Sequence, residues 1–136
     1  MSAGNGNGQD SSKKAKPLVY SCSGCSSAAQ LANRLALSLD HSEQFEMSCI
    51  AGVGAKLKNF VKQAQSANEI LCIDGCSLRC AERCLESVSV NSTWNFLVSD
   101  LGIEKRKHEL PTEAEFQFAL SKLKAMLERS SRLKLK

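Results

Sequence analysis

Apolar residues along the chain follow two rhythms. Short segments rich in apolar residues, Leu18 to Ser21, Phe45 to Ile50, Glu69 to Asp74 and Trp94 to Val98, read as strands of a buried sheet. The stretches between them carry apolar residues at helical spacing. Ser26 or Ser27 can cap a helix running to about Asp40, with Ala28, Leu31, Leu35 and Leu39 on one face. Leu57, Phe60, Val61 and Ala64 mark a second amphipathic helix, and Leu78, Ala81, Leu85 and Val88 a third. After the fourth strand comes a charged loop, Glu104 to Glu109, and then Pro111. Thr112 and Glu115 form a capping box ahead of a last helix that turns Phe116, Leu120, Leu123 and Leu127 inward.

Four βα units in succession predict an α/β fold: a three-layer αβα, Rossmann-like arrangement around a four-stranded, mainly parallel sheet. Connection rules favour the strand order 2-1-3-4. Residues 17–129 form the single domain, between a disordered polar and basic tail over 1–16 and a basic tail over 130–136. Outside the first tail the glycines are Gly24, Gly52, Gly54, Gly75 and Gly102, each just after a predicted strand, where the chain must turn. In open α/β sheets ligands bind outside the carboxyl ends of the strands, at the switch point of the topology. That point falls here between the first and third strands.

Composition narrows the function classes. At 136 residues, 43% hydrophobic and 24% charged, the chain is sized for one buried core. Its apolar runs last a few residues, whereas a membrane helix needs about 20, and the first residues lack an apolar leader. A cytoplasmic protein with no membrane partner is the expectation. The net charge of +4 is concentrated at the ends: residues 1–16 carry +2 and residues 128–136 carry +3, which leaves −1 for the domain between them. With aromatics at 5%, no basic, base-stacking face is in view, and no nucleic-acid partner is expected. No Ser/His/Asp set or carboxylate pair is spaced for hydrolysis.

The seven cysteines carry the chemistry. They are about 5% of the chain, and an odd count in a reducing compartment favours thiolate chemistry over a disulfide framework. Cys22 ends the first strand and Cys25 lies in the turn that opens the first helix. Cys49 ends the second strand, Cys76 follows the third within Asp74-Gly75-Cys76, and Cys80 stands one helical turn later. The predicted strand order brings all five to one edge of the sheet, where helix N-termini lower thiol pKa. A tetrahedral Cys₄ zinc site needs four such ligands, and the spacing offers two pairs, Cys22 with Cys25 and Cys76 with Cys80. Cys72, between Leu71 and Ile73, reads as a buried hydrophobe, and Cys84 as packing on a helix flank. Asp74 reads more simply as a helix cap than as a ligand orienter. Gly52-Val53-Gly54 reads as a tight turn rather than an anion loop. His41 reads as a solvated charge at a helix end, and His108 as a surface residue whose loop can approach the site.

Cys22-Ser23-Gly24-Cys25-Ser26, Met47 to Gly54, Ile73-Asp74-Gly75-Cys76 with Cys80, and Asp100 to Lys105 together resemble the DGC-motif zinc-binding proteins, a family of small prokaryotic proteins. The resemblance covers most of residues 18–110. It implies Zn²⁺ held by four cysteines and no assigned reaction. Carried over by position, it selects Cys22, Cys49, Cys76 and Cys80, with Cys25 as the alternative fourth ligand or an adjacent reactive thiol. Position 77 is Ser where Pro is frequent in the family.

The leading expectation is a cytoplasmic zinc-binding module, structural or metal-sensing and metal-handling, whose protein partner is unidentified. Two alternatives use the same residues. One is a cysteine-based oxidoreductase or sulfur-transfer enzyme with Cys22 or Cys25 as the low-pKa nucleophile and Cys49 or Cys76 resolving it. The other is an Fe–S protein.

Overall fold

Leu18–Ser21 (β1) and Ile70–Asp74 (β3) are buried at every position, as strands covered on both faces must be. They are the two central strands of a sheet seen in a computed structural model that describes residues 15–130. The tails expected over 1–16 and 130–136 fall almost wholly outside the described residues. Leu18 pairs with Ile70 and Ser21 with Ile73, in parallel. Glu46–Met47 (β2) lies on the outer side of β1 and Trp94–Leu97 (β4) on the outer side of β3, both parallel, which gives the order β2-β1-β3-β4. The expected strand order and three-layer α/β architecture are both found.

Ser27–His41 (α1) packs on β1, β2 and β3, and on Glu113–Arg129 (α5). Ser26 caps α1 by accepting a hydrogen bond from the Ala29 amide at 3.1 Å. Thr112 and Glu115 make the anticipated capping box of α5. Its buried stripe is Phe116, Ala119, Leu123 and Leu127, with the expected Leu120 only half-buried. Arg34 ties the two helices together. Its guanidinium stacks 3.7 Å from the centre of the Phe116 ring and pairs with Glu113 at 2.8 Å. The other helices are Ile50–Gly54 (α2), Lys58–Ser66 (α3) and Cys80–Glu86 (α4), with α2 packed on both α3 and α4 and α4 on β3.

Two differences from the sequence reading bear on the site. The second strand, expected over 45–50, pairs only at Glu46 and Met47, because the chain turns into α2 at Ile50 with Cys49 as its cap. This extra helix is closed by the Phe60 ring, which lies so near Gly52 that a Cβ there would stand 2.4 Å from it. The helix after the third strand begins at Cys80, so Leu78 precedes it and is 59% exposed rather than inward-facing. Arg79 causes the offset: it adopts φ 52° and ψ 52°, which breaks the helical phase between Leu78 and Ala81. Ala81, Leu85 and Val88 are buried as expected.

Candidate functional site

The β1–α1 and β3–α4 turns leave adjacent strands at the middle of the sheet and are joined beyond the strand ends. The Cys22 amide donates to the Ile73 carbonyl at 3.2 Å, and the Gly75 amide donates to Cys22 Sγ at 3.2 Å. Gly75 is required here by close approach. A Cβ at that position would lie 2.7 Å from the backbone C and O of Ala28, in the first turn of α1. On the other side, Gly24 carries the β1–α1 turn at φ +147°, and its carbonyl accepts from Gln30 Nε2 at 2.6 Å.

Asp74 is buried and belongs to α4. Its Oδ1 accepts from the Ala81 amide at 2.8 Å and its Oδ2 from the Glu82 amide at 3.1 Å. This is the capping role read from the sequence, and it substitutes for Arg79, whose side chain makes no cap bond.

The charged loop straps this region. The Ser27 amide donates to the Arg106 carbonyl at 2.7 Å, the Arg106 amide donates back to Ser27 Oγ at 2.9 Å, and the His108 amide donates to the Cys25 carbonyl at 3.2 Å. Arg106 is anchored in turn by Glu109 at 2.7 Å and by both oxygens of Glu115, at 2.9 and 3.0 Å. The two acceptors hold the guanidinium firmly protonated, and Arg106 together with the Thr112 amide lowers the Glu115 carboxyl to about 2. The strap delivers Lys105 to the site, with Nζ 3.6 Å from Cys76 Sγ.

These turns enclose a cavity of about 200 Å³ whose lining includes Cys22, Cys25, Cys76 and Cys80 together with Arg79, Lys105 and Lys107. Cys22 is buried, Cys76 half-buried, and Cys25 and Cys80 exposed. Burial pushes the Cys22 thiol up to about 11, against the hydrogen bond from Gly75 and with further upward pressure from Asp74. The expectation of a low-pKa Cys22 at a helix N-terminus is therefore reversed, because desolvation outweighs the helix end.

The remaining cysteines lie elsewhere. Cys49 is exposed and caps α2, its Sγ accepting from the Gly52 amide at 3.3 Å, and it is not among the residues lining the cavity. Cys72 is fully buried, its thiol 3.7 Å from Asp74 Oδ2 and pushed strongly upward by burial. Cys84 is half-buried and packs against Gly54, where a Cβ would stand 3.1 Å from its sulfur. Both fit the packing role expected of them. His41 and His108 are exposed.

In donor chemistry the cavity suits a thiophilic cation, with four soft sulfur ligands on one wall system. As the side chains lie, no three Cys, His, Asp or Glu among the described residues form a group that could hold a metal ion. Closing such a site requires the thiols to turn inward. The lysines and Arg79 were not singled out by sequence reasoning. The one signal was the charged loop, which was linked to the site only through His108.

No helix among the described residues is long and apolar enough to cross a membrane. No solved structure matches the chain. Over 93 residues the chain is 50% identical to the anaerobic and virulence modulator AnvM of Pseudomonas aeruginosa, a span of 68% of this chain and 71% of that protein. The DGC domain model matches residues 18–123, from the first residue of β1 into α5 and through every element that builds the cavity, and the chain belongs to the DGC family.

Proposed function

We propose that the cavity binds a zinc ion through Cys22, Cys76 and Cys80, with Cys25 as the fourth ligand, and that the occupied site serves a structural or regulatory role. The carrying observation is that four of seven cysteines, from two turns far apart in sequence, line one small cavity at the switch point of the sheet. Zinc bound by four thiolates supplies a closed, redox-inert crosslink. Cys25 and Cys80 are exposed, so their side chains have room to turn, while Cys22 is fixed by the β1–β3 junction. Lys105, already beside Cys76, and Lys107 offset the negative charge of the assembled thiolates. The name of the Pseudomonas relative describes a modulator, which favours a module that responds over one that turns over a substrate.

Because the ligands must be thiolates and Cys22 begins protonated, zinc binding releases protons and weakens as pH falls. The test is addition of zinc to reduced, metal-free protein. Calorimetry in buffers of different ionisation heat reads proton release, and mass spectrometry reads protection from alkylation. Near-stoichiometric binding that shields Cys22, Cys76 and Cys80 is expected. Absence of binding in folded protein, or protection confined to Cys49 and Cys84, overturns the reading.

A further inference from the structure

The cavity carries more positive charge than its own groups use. Arg79, Lys105 and Lys107 all line it, and among the described residues no carboxylate pairs with any of them. The one carboxylate in the lining, Asp74, is turned into the α4 N-terminus and saturated by two amides. Arg79 is held in place from the far side, its guanidinium donating to Asn95 Oδ1, while Asn95 Nδ2 donates to Glu82 at 2.7 Å. The left-handed backbone at Arg79 places a non-glycine residue in a costly conformation at the cavity rim, a form of strain that recurs at binding sites. Three cations around thiols, Arg79 held by Asn95 and Lys105 lying against Cys76, select an anionic ligand able to react with sulfur. A cavity of about 150 Å³ holds benzene, so this one admits one arm of a small disulfide.

We propose that the cavity is a thiol–disulfide exchange site selective for small anionic disulfides, with Cys76 as the attacking thiol. Cys76 is the half-buried member of the set and lies against Lys105. Cys22 is shielded by burial, and Cys25 and Cys80 sit at exposed positions. The step is Cys76–SH + R–S–S–R → Cys76–S–S–R + R–SH, where R carries a carboxylate. One S–S bond breaks and one forms, the small disulfide is the oxidant, and the thiol proton ends on the departing R–SH. The cations draw in the carboxylate arms and stabilise the charge on the leaving sulfur. The exchange belongs to the zinc-free chain, because Cys76 cannot attack while it ligates a metal, and a metal-free assay therefore tests it apart from the zinc reading.

The test uses the full chain, reduced and kept metal-free with a chelator. Dithiodiglycolate is the anionic probe, hydroxyethyl disulfide the neutral one and cystamine the cationic one. Adducts are timed and mapped by mass spectrometry, and each rate is divided by that of the same disulfide with a neutral reference thiol. The expected result is an adduct on Cys76 and a normalised rate about tenfold higher for the anionic than for the neutral probe. That ratio falls toward unity at high ionic strength and in the Lys105→Gln, Lys107→Gln double variant. Should the variant not fold, the salt dependence of the unmutated chain decides alone. Normalised rates independent of probe charge, a ratio insensitive to salt, or first modification at Cys25 or Cys49 overturn the proposal.

Discussion

The β1–α1 and β2–α2 turns look alike in sequence and end up in different places. Each follows a strand and carries a cysteine at the start of a helix. Cys25 lines the cavity, whereas Cys49 caps α2 outside it. The difference comes from strand order. β1 and β3 are hydrogen-bonded neighbours over four residue pairs, so their turns meet and share bonds such as Gly75 N to Cys22 Sγ. β2 is an edge strand with two pairs, and the helix that follows its turn, α2, packs on α3 through Gly52 and Phe60. Spacing in sequence is thus a weaker guide to ligand sets than adjacency in the sheet.

Glycine substitutions separate the tight β1–β3 junction from the α2–α3 contact most strongly. Gly75→Ala sets a methyl against the backbone of Ala28, which cannot move without shifting α1, and is expected to cost about 3 kcal/mol of stability. Gly52→Ala meets the half-buried ring of Phe60, which can swing aside, and should cost about 1 kcal/mol. Urea unfolding of both variants checks this. Equal losses would mean that the β1–β3 junction is no tighter than the α2–α3 contact.

Asp74→Ala comes next. It leaves the Ala81 and Glu82 amides without their acceptor in a buried setting, for a loss of about 2 kcal/mol, and loosens the turn that carries Cys76 and Cys80. Amide hydrogen exchange should rise first in α4 and leave α2 protected. A uniform rise across both helices would contradict local anchoring of the cysteine turn.

The smallest effect belongs to the strap. Glu115 is lowered from its usual 4.5 to about 2, so its contribution to stability is fully present above pH 4.5 and is lost as pH falls through about 2. Glu115→Gln should therefore lower the melting temperature at neutral pH and approach the unmutated chain near pH 2. A constant difference across that range would show that Arg106 draws nothing from the charge of Glu115.

The sequence shows most of what positions this site. Uninterrupted burial of Leu18–Ser21 and Ile70–Asp74 and the Thr112–Glu115 capping box are local patterns, and the structure reproduces them. The end of β2 was hidden because Cys49 and Ile50 suit a strand or a helix start equally well. The phase of α4 was hidden because nothing in an arginine announces a left-handed backbone. The two lysines of the cationic rim are brought there by bonds between Ser27 and Arg106, 79 positions apart, which no local pattern encodes. The upward shift of the Cys22 thiol follows from its burial in the folded chain and so is legible only in three dimensions.

The choice between Cys25 and Cys49 tests the central claim most directly. Metal content per chain is measured by plasma mass spectrometry on anaerobically purified protein, unmutated and as Cys25→Ser, Cys49→Ser and Cys76→Ser. The account predicts close to one zinc in the unmutated chain and in Cys49→Ser, a reduced content in Cys25→Ser and essentially none in Cys76→Ser. Zinc lost in Cys49→Ser and retained in Cys25→Ser would contradict it and make Cys49, from the β2–α2 turn, the fourth ligand.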